Sequence, residues 1–263
     1  MRKYWAIFKI SWEKSLEYRA DFIGHLGMGL INFLVMYFIW SAIFKNRTFF
    51  NGYTFSAMMT YVLMTRFLHF VMRGNIGRQI GDEIKEGKIS SYLIKPINYT
   101  GWWFSTFFAE RGYEFFIRMA MLILFFVFFP KIAVFQGLGR FSLFLAFIFI
   151  SLIFNFIFNI LIACLAFWIT DVRLIRSAMM IIIDFLAGAT IPLDIMPGIL
   201  RKISNFLPFQ FVAYFPIKLY QGALSPGQIT TGVSLLFFWI VVLSIIFKYV
   251  WLKGVKRYEA VGQ

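Results

Sequence analysis

Cysteine, histidine and charge are the scarce residues of this 263-residue chain. The one cysteine, Cys164, stands in an apolar run, so neither an internal disulfide nor a thiolate metal site can be built, and it reads as core packing. Two histidines, His25 and His69, have no carboxylate or cysteine constellation beside them, so no metal site is assigned. Charged residues are 14% of the chain, against about 25% in soluble domains, while 60% is hydrophobic. That balance excludes an ordinary soluble domain and implies an all-α integral membrane protein. The start, MRKYWAIFKISWEKSLEYRAD, breaks its apolar residues with charges and lacks the unbroken core of a secretory signal, so the mature chain is expected to begin at Met1.

Nucleotide-binding and catalytic signatures are missing too. A P-loop needs Gly, four residues, then Gly-Lys-Ser/Thr, so that backbone N–H groups cradle phosphates. The nearest approach, Gly81 to Lys88, has five residues between its glycines and Ile89 after the lysine. We expect no nucleotide or other cofactor to be held by this chain. A hydrolase triad, an HExxH zinc site and paired catalytic carboxylates are likewise missing, so no catalytic residue is assigned. Neither a repeat nor a linker divides the chain, which reads as one membrane domain over 1–263.

What is present centres on RGNIGRQIGDEIKEGKISSYLIKP, Arg73 to Pro96. Ile76, Ile80 and Ile84 recur every four residues and line one stripe of a short helix, with Arg78, Asp82, Glu83, Lys85 and Glu86 on its other sides. Gly87 suits a left-handed cap, and Lys95-Pro96 closes the segment. A charged, capped helix between two apolar spans belongs at the membrane surface, presenting charge to something soluble.

Before it, residues 3–19 place Trp5, Phe8, Trp12 and Leu16 opposite Lys9, Glu13, Lys14 and Glu17, an interfacial amphipathic helix. Six spans are expected: Phe22 to Phe44, Tyr53 to Met72, Trp102 to Phe129, Phe141 to Ile169, Leu174 to Ile191 and Ile229 to Phe247. Asp171, Arg173 and Arg176 form a polar turn before the fifth. Five of the seven prolines fall between Pro192 and Pro226, a stretch too broken to span and too apolar for a solvated loop. Short helices dipping partway into the membrane suit it best. With both ends cytoplasmic, 16 of the 26 Lys and Arg lie in inner segments, as the positive-inside rule requires. That placement accounts for the net charge of +14 without a nucleic-acid partner.

Ionisable residues inside spans raise a functional question. Arg66 lies in the second span, and Glu110, Arg111, Glu114 and Arg118 lie in the third. Spacings of three and four let Arg111, Glu114 and Arg118 neutralise one another, either as a structural seam or as the inner mouth of a pathway. Asp184 sits eight residues from Arg176, about 12 Å deep. It either pairs across helices with Arg66 or Arg118, or serves a substrate or proton. Asn155 and Asn159, one turn apart, are expected to hydrogen-bond between helices.

The order of these features resembles the membrane subunit of a type 2 ABC exporter. GDEIKEGKISSYLIKPI resembles that family's coupling segment (73–100), and AGATIPLDIMPGILRKISNFLPFQFVAYFPIKLYQG resembles its external re-entrant hairpin (192–227), with Pro192, Asp194, Pro197 and Pro208. The resemblance implies a permease without fuel of its own, moving cargo outward across a bacterial plasma membrane. It implies ATPase subunits, in two copies, that hold ATP and Mg, and a second permease subunit, identical or related. Ile80, Asp82, Glu83, Ile84, Lys85, Glu86 and Gly87 would then dock into the ATPase. A proton-coupled secondary transporter using Asp184 and Arg66 stays open, although such transporters usually show related halves and this sequence has none.

Overall fold

The computed structural model describes residues 2–17, 19–94, 96–169 and 172–257. Lys95, Asp171 and the end of the basic tail lie outside the described residues, as do the side chains of Glu17, His25 and Arg173. In chain order the helices are α1 (Arg2–Glu17), α2 (Arg19–Phe44), α3 (Phe55–Met72), α4 (Ile76–Lys85), the single turn α5 (Ser90–Leu93), α6 (Tyr99–Phe128), α7 (Leu138–Ala163), α8 (Val172–Leu186), α9 (Gly198–Phe206), α10 (Tyr214–Tyr220) and α11 (Pro226–Arg257). Tight 3-10 turns cover Cys164–Phe167, Leu193–Ile195 and Pro208–Val212. Cys164 is free and buried, as core packing requires.

Local chemistry sets several of these ends. Thr54 caps α3 by accepting from the Ala57 N–H at 3.2 Å, and Asn98 caps α6 by accepting from Gly101 at 3.0 Å. Among the described residues, four segments are long and apolar enough to cross a membrane: Gly27–Phe44, Phe55–Lys85, Leu138–Phe167 and Pro226–Arg257. Two expected spans differ from these. The 30-residue α6 is about 45 Å long, well over the roughly 30 Å of a hydrocarbon core, but Glu110, Arg111, Glu114 and Arg118 interrupt its apolar run. The 15-residue α8 reaches only about 22 Å and stops at Leu186, short of the expected Ile191, because the chain turns at Gly188. There the Gly188 carbonyl accepts from the Tyr61 hydroxyl at 2.6 Å. At the other end of the chain, α11 runs unbroken through Lys248 to Arg257, beyond the expected Phe247.

Burial ranks the long helices. The apolar window of α3 is 61% buried and that of α7 50%, whereas α2 has 11% and α11 17%. So α3 and α7 form the centre, and α2 and α11 turn apolar faces outward, with Met28, Ile31, Phe38, Val241 and Ile245 among the exposed side chains. In water such faces would be a liability; against lipid they cost nothing. Phe144, Tyr61 and Tyr220 lie in the main core, while Phe147, Phe211 and Phe215 fill a second cluster between α7, α10 and α11. Outside this bundle, α1 lies along the first half of α6: Ser11 donates to Thr106 at 3.3 Å and the Trp12 ring meets Tyr113 and Phe116 edge-on.

Candidate functional site

The expected isoleucine stripe is dry. Ile76, Ile80 and Ile84 keep 2%, 0% and 4% of their surface, because α4 lies against the end of α7 and the turn Cys164–Phe167. The approach is close: a side chain at Gly77 would meet the Asn159 carbonyl oxygen at 3.0 Å. Gly87, at φ +78, then turns the backbone in a region that L side chains avoid. Its N–H donates to the Ile84 carbonyl at 3.4 Å and that of Lys88 to Glu83 at 3.0 Å, closing the helix end.

The charged side divides in two. Arg78, Gln79, Lys85 and Glu86 are exposed and Asp82 half-buried, with Arg78 3.6 Å from Asp82 and Lys88 2.5 Å from Glu86. Glu83 faces the other way. Its carboxylate accepts from Tyr99 at 2.8 Å, from the Trp103 indole at 3.2 Å and from Tyr92 at 3.4 Å. Burial pushes this carboxyl above its ordinary value, and the bonds from Tyr99, Trp103 and Tyr92, with Lys88 farther off, offset it only in part. Of the five charges expected on the outer sides of α4, Arg78, Lys85 and Glu86 are exposed and Asp82 half-buried, whereas Glu83 turns inward to α6. Spacing along α4 does not reveal these three donors; the visible signal in the sequence is the Tyr99/Trp103 pair, four apart at the start of α6.

Where α3 meets α4, three arginines close the joint. Arg111 of α6 donates to the carbonyls of Arg73 and, at 3.4 Å, Phe70. Arg176 of α8 donates to the Gly74 carbonyl at 2.7 Å. These carbonyls lie at or just past the C-terminal turn of α3, where backbone acceptors lack helical partners and the helix dipole favours cations. Arg73 itself reaches Asp184 of α8 at 2.5 Å. Of the two alternatives open for Asp184, the structure contains an interhelical pair, with Arg73 in place of Arg66 or Arg118. The cleft beside this pair is lined by His69, Asn155, Asn159 and Arg176. Asn159 donates to the Asn155 carbonyl and side-chain oxygen along α7, at 2.9 and 3.0 Å, so among the described residues this pair bonds within its helix and not between helices.

The charges of α6 are brought together only partly as their spacing predicts. Glu114 and Arg118 pair at 3.2 Å, as their separation predicts, and Arg118 covers the Phe70 ring at 4.0 Å. Arg111 pairs with its neighbour Glu110 at 3.7 Å rather than with Glu114, since its guanidinium is turned toward the α3 carbonyls. Arg66 lies apart, its Nε buried without an acceptor among the described residues. At the opposite end of the bundle, Asp194 gathers the broken region 187–225. Lys218 reaches it at 2.8 Å, Tyr53 donates at 2.8 Å, Tyr214 donates as well, and Arg201 stands at 3.8 Å. Burial alone would raise this carboxyl, but the bonds from Lys218, Tyr214 and Tyr53 outweigh it and hold the group below its ordinary value. Pro192 and Pro197 flank its turn, and Pro208 opens the next.

No curated protein matches the chain. Residues 30–262 match the family described as ABC-2 family transporter protein. That span contains the buried α4, its arginine joint and the Asp194 cluster, and it covers nearly the whole bundle. The chain is a membrane permease of the ABC-2 transporter family.

Proposed function

We propose that this permease is half of an ATP-driven exporter moving cargo from the cytoplasm outward, and that α4 is where a separate ATPase subunit applies force. The observation that carries the reading is the two-sidedness of α4: its isoleucine stripe is sealed against α7 while Arg78, Gln79, Asp82, Lys85 and Glu86 face away from the bundle. A solvated loop helix needs no such anchorage. Work done on the outer face passes into the joint at Arg73 and Gly74, and from there to α6 through Arg111 and to α8 through Arg176. Two such permeases, identical or related, would face each other, with two ATPase subunits holding ATP and Mg.

The membrane frame is part of the proposal. The spans are α2, α3, α6, α7, α8 with the chain to Ile191, and α11; both termini are cytoplasmic and α1 lies at the inner interface of a bacterial plasma membrane. The region 192–227 dips back from the outer side as a re-entrant hairpin. Outward direction and the ATPase partner rest on the likeness of the coupling and hairpin segments to type 2 exporters.

Co-purification tests this directly: an ATPase of roughly 30 kDa, the size of one domain, should travel with the chain. Glu86→Lys, an exposed change expected to alter stability by under about 0.5 kcal/mol, should leave insertion intact and abolish the permease-dependent part of ATP hydrolysis. Unchanged stimulation of hydrolysis in Glu86→Lys and in Lys85→Glu would remove α4 as the docking element.

A further inference from the structure

A groove of about 180 Å³ opens on the side of the bundle between α2, α3 and α6. Phe33, Leu63, Phe67, Leu122 and Phe125 line it, with Arg66 and Arg118. Along α6 the lining passes from Arg118 to Phe125 and along α3 from Phe70 back to Leu63, so Arg118 lies at one end and Arg66 near the middle, about one turn from Leu63. Apolar cavities of about 150 Å³ stay dry and accept apolar ligands, so greasy occupancy is the natural state of such a trough.

The two arginines are not equivalent. Arg118 is matched by Glu114 at 3.2 Å and by the Phe70 ring. Arg66 has a buried Nε without an acceptor among the described residues, and Asp184, the carboxylate whose charge acts on it, is already bonded to Arg73 at 2.5 Å. It stands six residues before Met72, about 9 Å inside the end of α3. A purely apolar occupant would leave that guanidinium uncompensated at a costly depth, and a soluble anion would leave the trough empty. A second copy offering an apolar helix face meets the first objection as well.

We propose that this groove binds an anionic lipid, with an acyl chain along Phe33, Leu63, Phe67 and Phe125 and its phosphate on the Arg66 guanidinium. Arginine's planar fork suits phosphate oxygens, and the charge-assisted bond supplies selectivity while the chain supplies contact area. The site goes beyond the exporter reading and is measurable on the permease without any ATPase, so failure of α4 docking would leave it standing, and its own failure would leave docking untouched.

The experiment is lipid binding by the purified full-length chain in phosphatidylcholine vesicles, using spin-labelled phosphatidylglycerol and spin-labelled phosphatidylcholine in parallel. The wild type should hold the anionic probe about tenfold more tightly, the equivalent of one charge-assisted hydrogen bond. Arg66→Gln should bring that preference close to unity while still binding both probes, and Arg66→Lys should restore most of it. Leu63→Trp, which fills the trough and keeps the cation, should lower retention of both lipids. Equal retention of the two probes by the wild type, or selectivity unchanged in Arg66→Gln, overturns the site. Disulfide cross-linking of Leu30→Cys, at an exposed residue of the groove lining, between copies, without lipid selectivity, overturns it in favour of a second copy of the chain.

Discussion

Glu83 and Asp194 are carboxylates in opposite situations, one beneath the charged helix α4 and one in the proline-rich region at the other end of the bundle. Each accepts from two tyrosines, and burial acts against the charge of both. Asp194 also has Lys218 at 2.8 Å and Arg201 at 3.8 Å, and its carboxyl lies below its ordinary value. Glu83 has neutral donors, with Lys88 only at a distance, and its carboxyl lies above. Hydroxyl and indole donors alone therefore do not compensate burial of this negative charge; an ammonium in contact does. Asp194 is a latch tying α3, α10 and the turn after Pro192 together. Glu83 is a seat that can be given up at lower cost, which suits the force-receiving role proposed for α4.

Lys218→Met would turn the first site into the second. Stripping a mostly buried carboxylate of its cation should cost about 2–3 kcal/mol, read as lowered thermal stability in detergent, and the Asp194 carboxyl should move upward. Stability unaltered by that change would break the comparison. Asp194→Asn comes next, at about 1–2 kcal/mol near neutral pH, as hydrogen bonds to a charged group are replaced by neutral ones. Because the folded carboxyl lies below its unfolded value, the wild-type advantage is full above the ordinary carboxylate range and is lost as pH falls through the folded value. Thermal melts of both proteins down an acid series should converge. Glu83→Gln has the smallest effect, within about 1 kcal/mol, since Gln keeps an acceptor for Tyr99 and Trp103 and sheds the buried charge. With the folded carboxyl above its unfolded value, ionisation costs wild-type stability at neutral pH and acidification relieves it. The variant should match or exceed the wild type at pH 7 and lose ground on acidification; a large neutral-pH loss in melting temperature would refute the reading of Glu83.

Elements carried by local pattern were legible in advance. The stripe Ile76/Ile80/Ile84, the glycine cap at Gly87 and the Glu114–Arg118 pair follow from spacing along one helix, and the structure has all three. Partners distant in sequence were not legible. Arg73 reaches Asp184 across 111 positions and Arg111 reaches the Arg73 carbonyl across 38, and no periodicity encodes either meeting. For Asp184 the sequence leaves an interhelical pair and a substrate or proton role both open and offers Arg66 and Arg118 as partners by depth, whereas the structure pairs it with Arg73. The inward turn of Glu83 was hidden for the same reason, since its donors Tyr99 and Trp103 belong to another helix.

Composition and periodicity by themselves determined that this is a helical membrane protein with a charged, capped α4 after its second long apolar segment, because those properties depend on residues within a turn or two of one another. Only the tertiary structure decided which charges of α4 face outward, which arginines close the joint beneath it, and that the Arg66 Nε is left without an acceptor among the described residues. Those outcomes depend on how helices far apart in the chain pack side by side, and charge pairing in a low-dielectric interior is settled by ångström distances that sequence order does not contain.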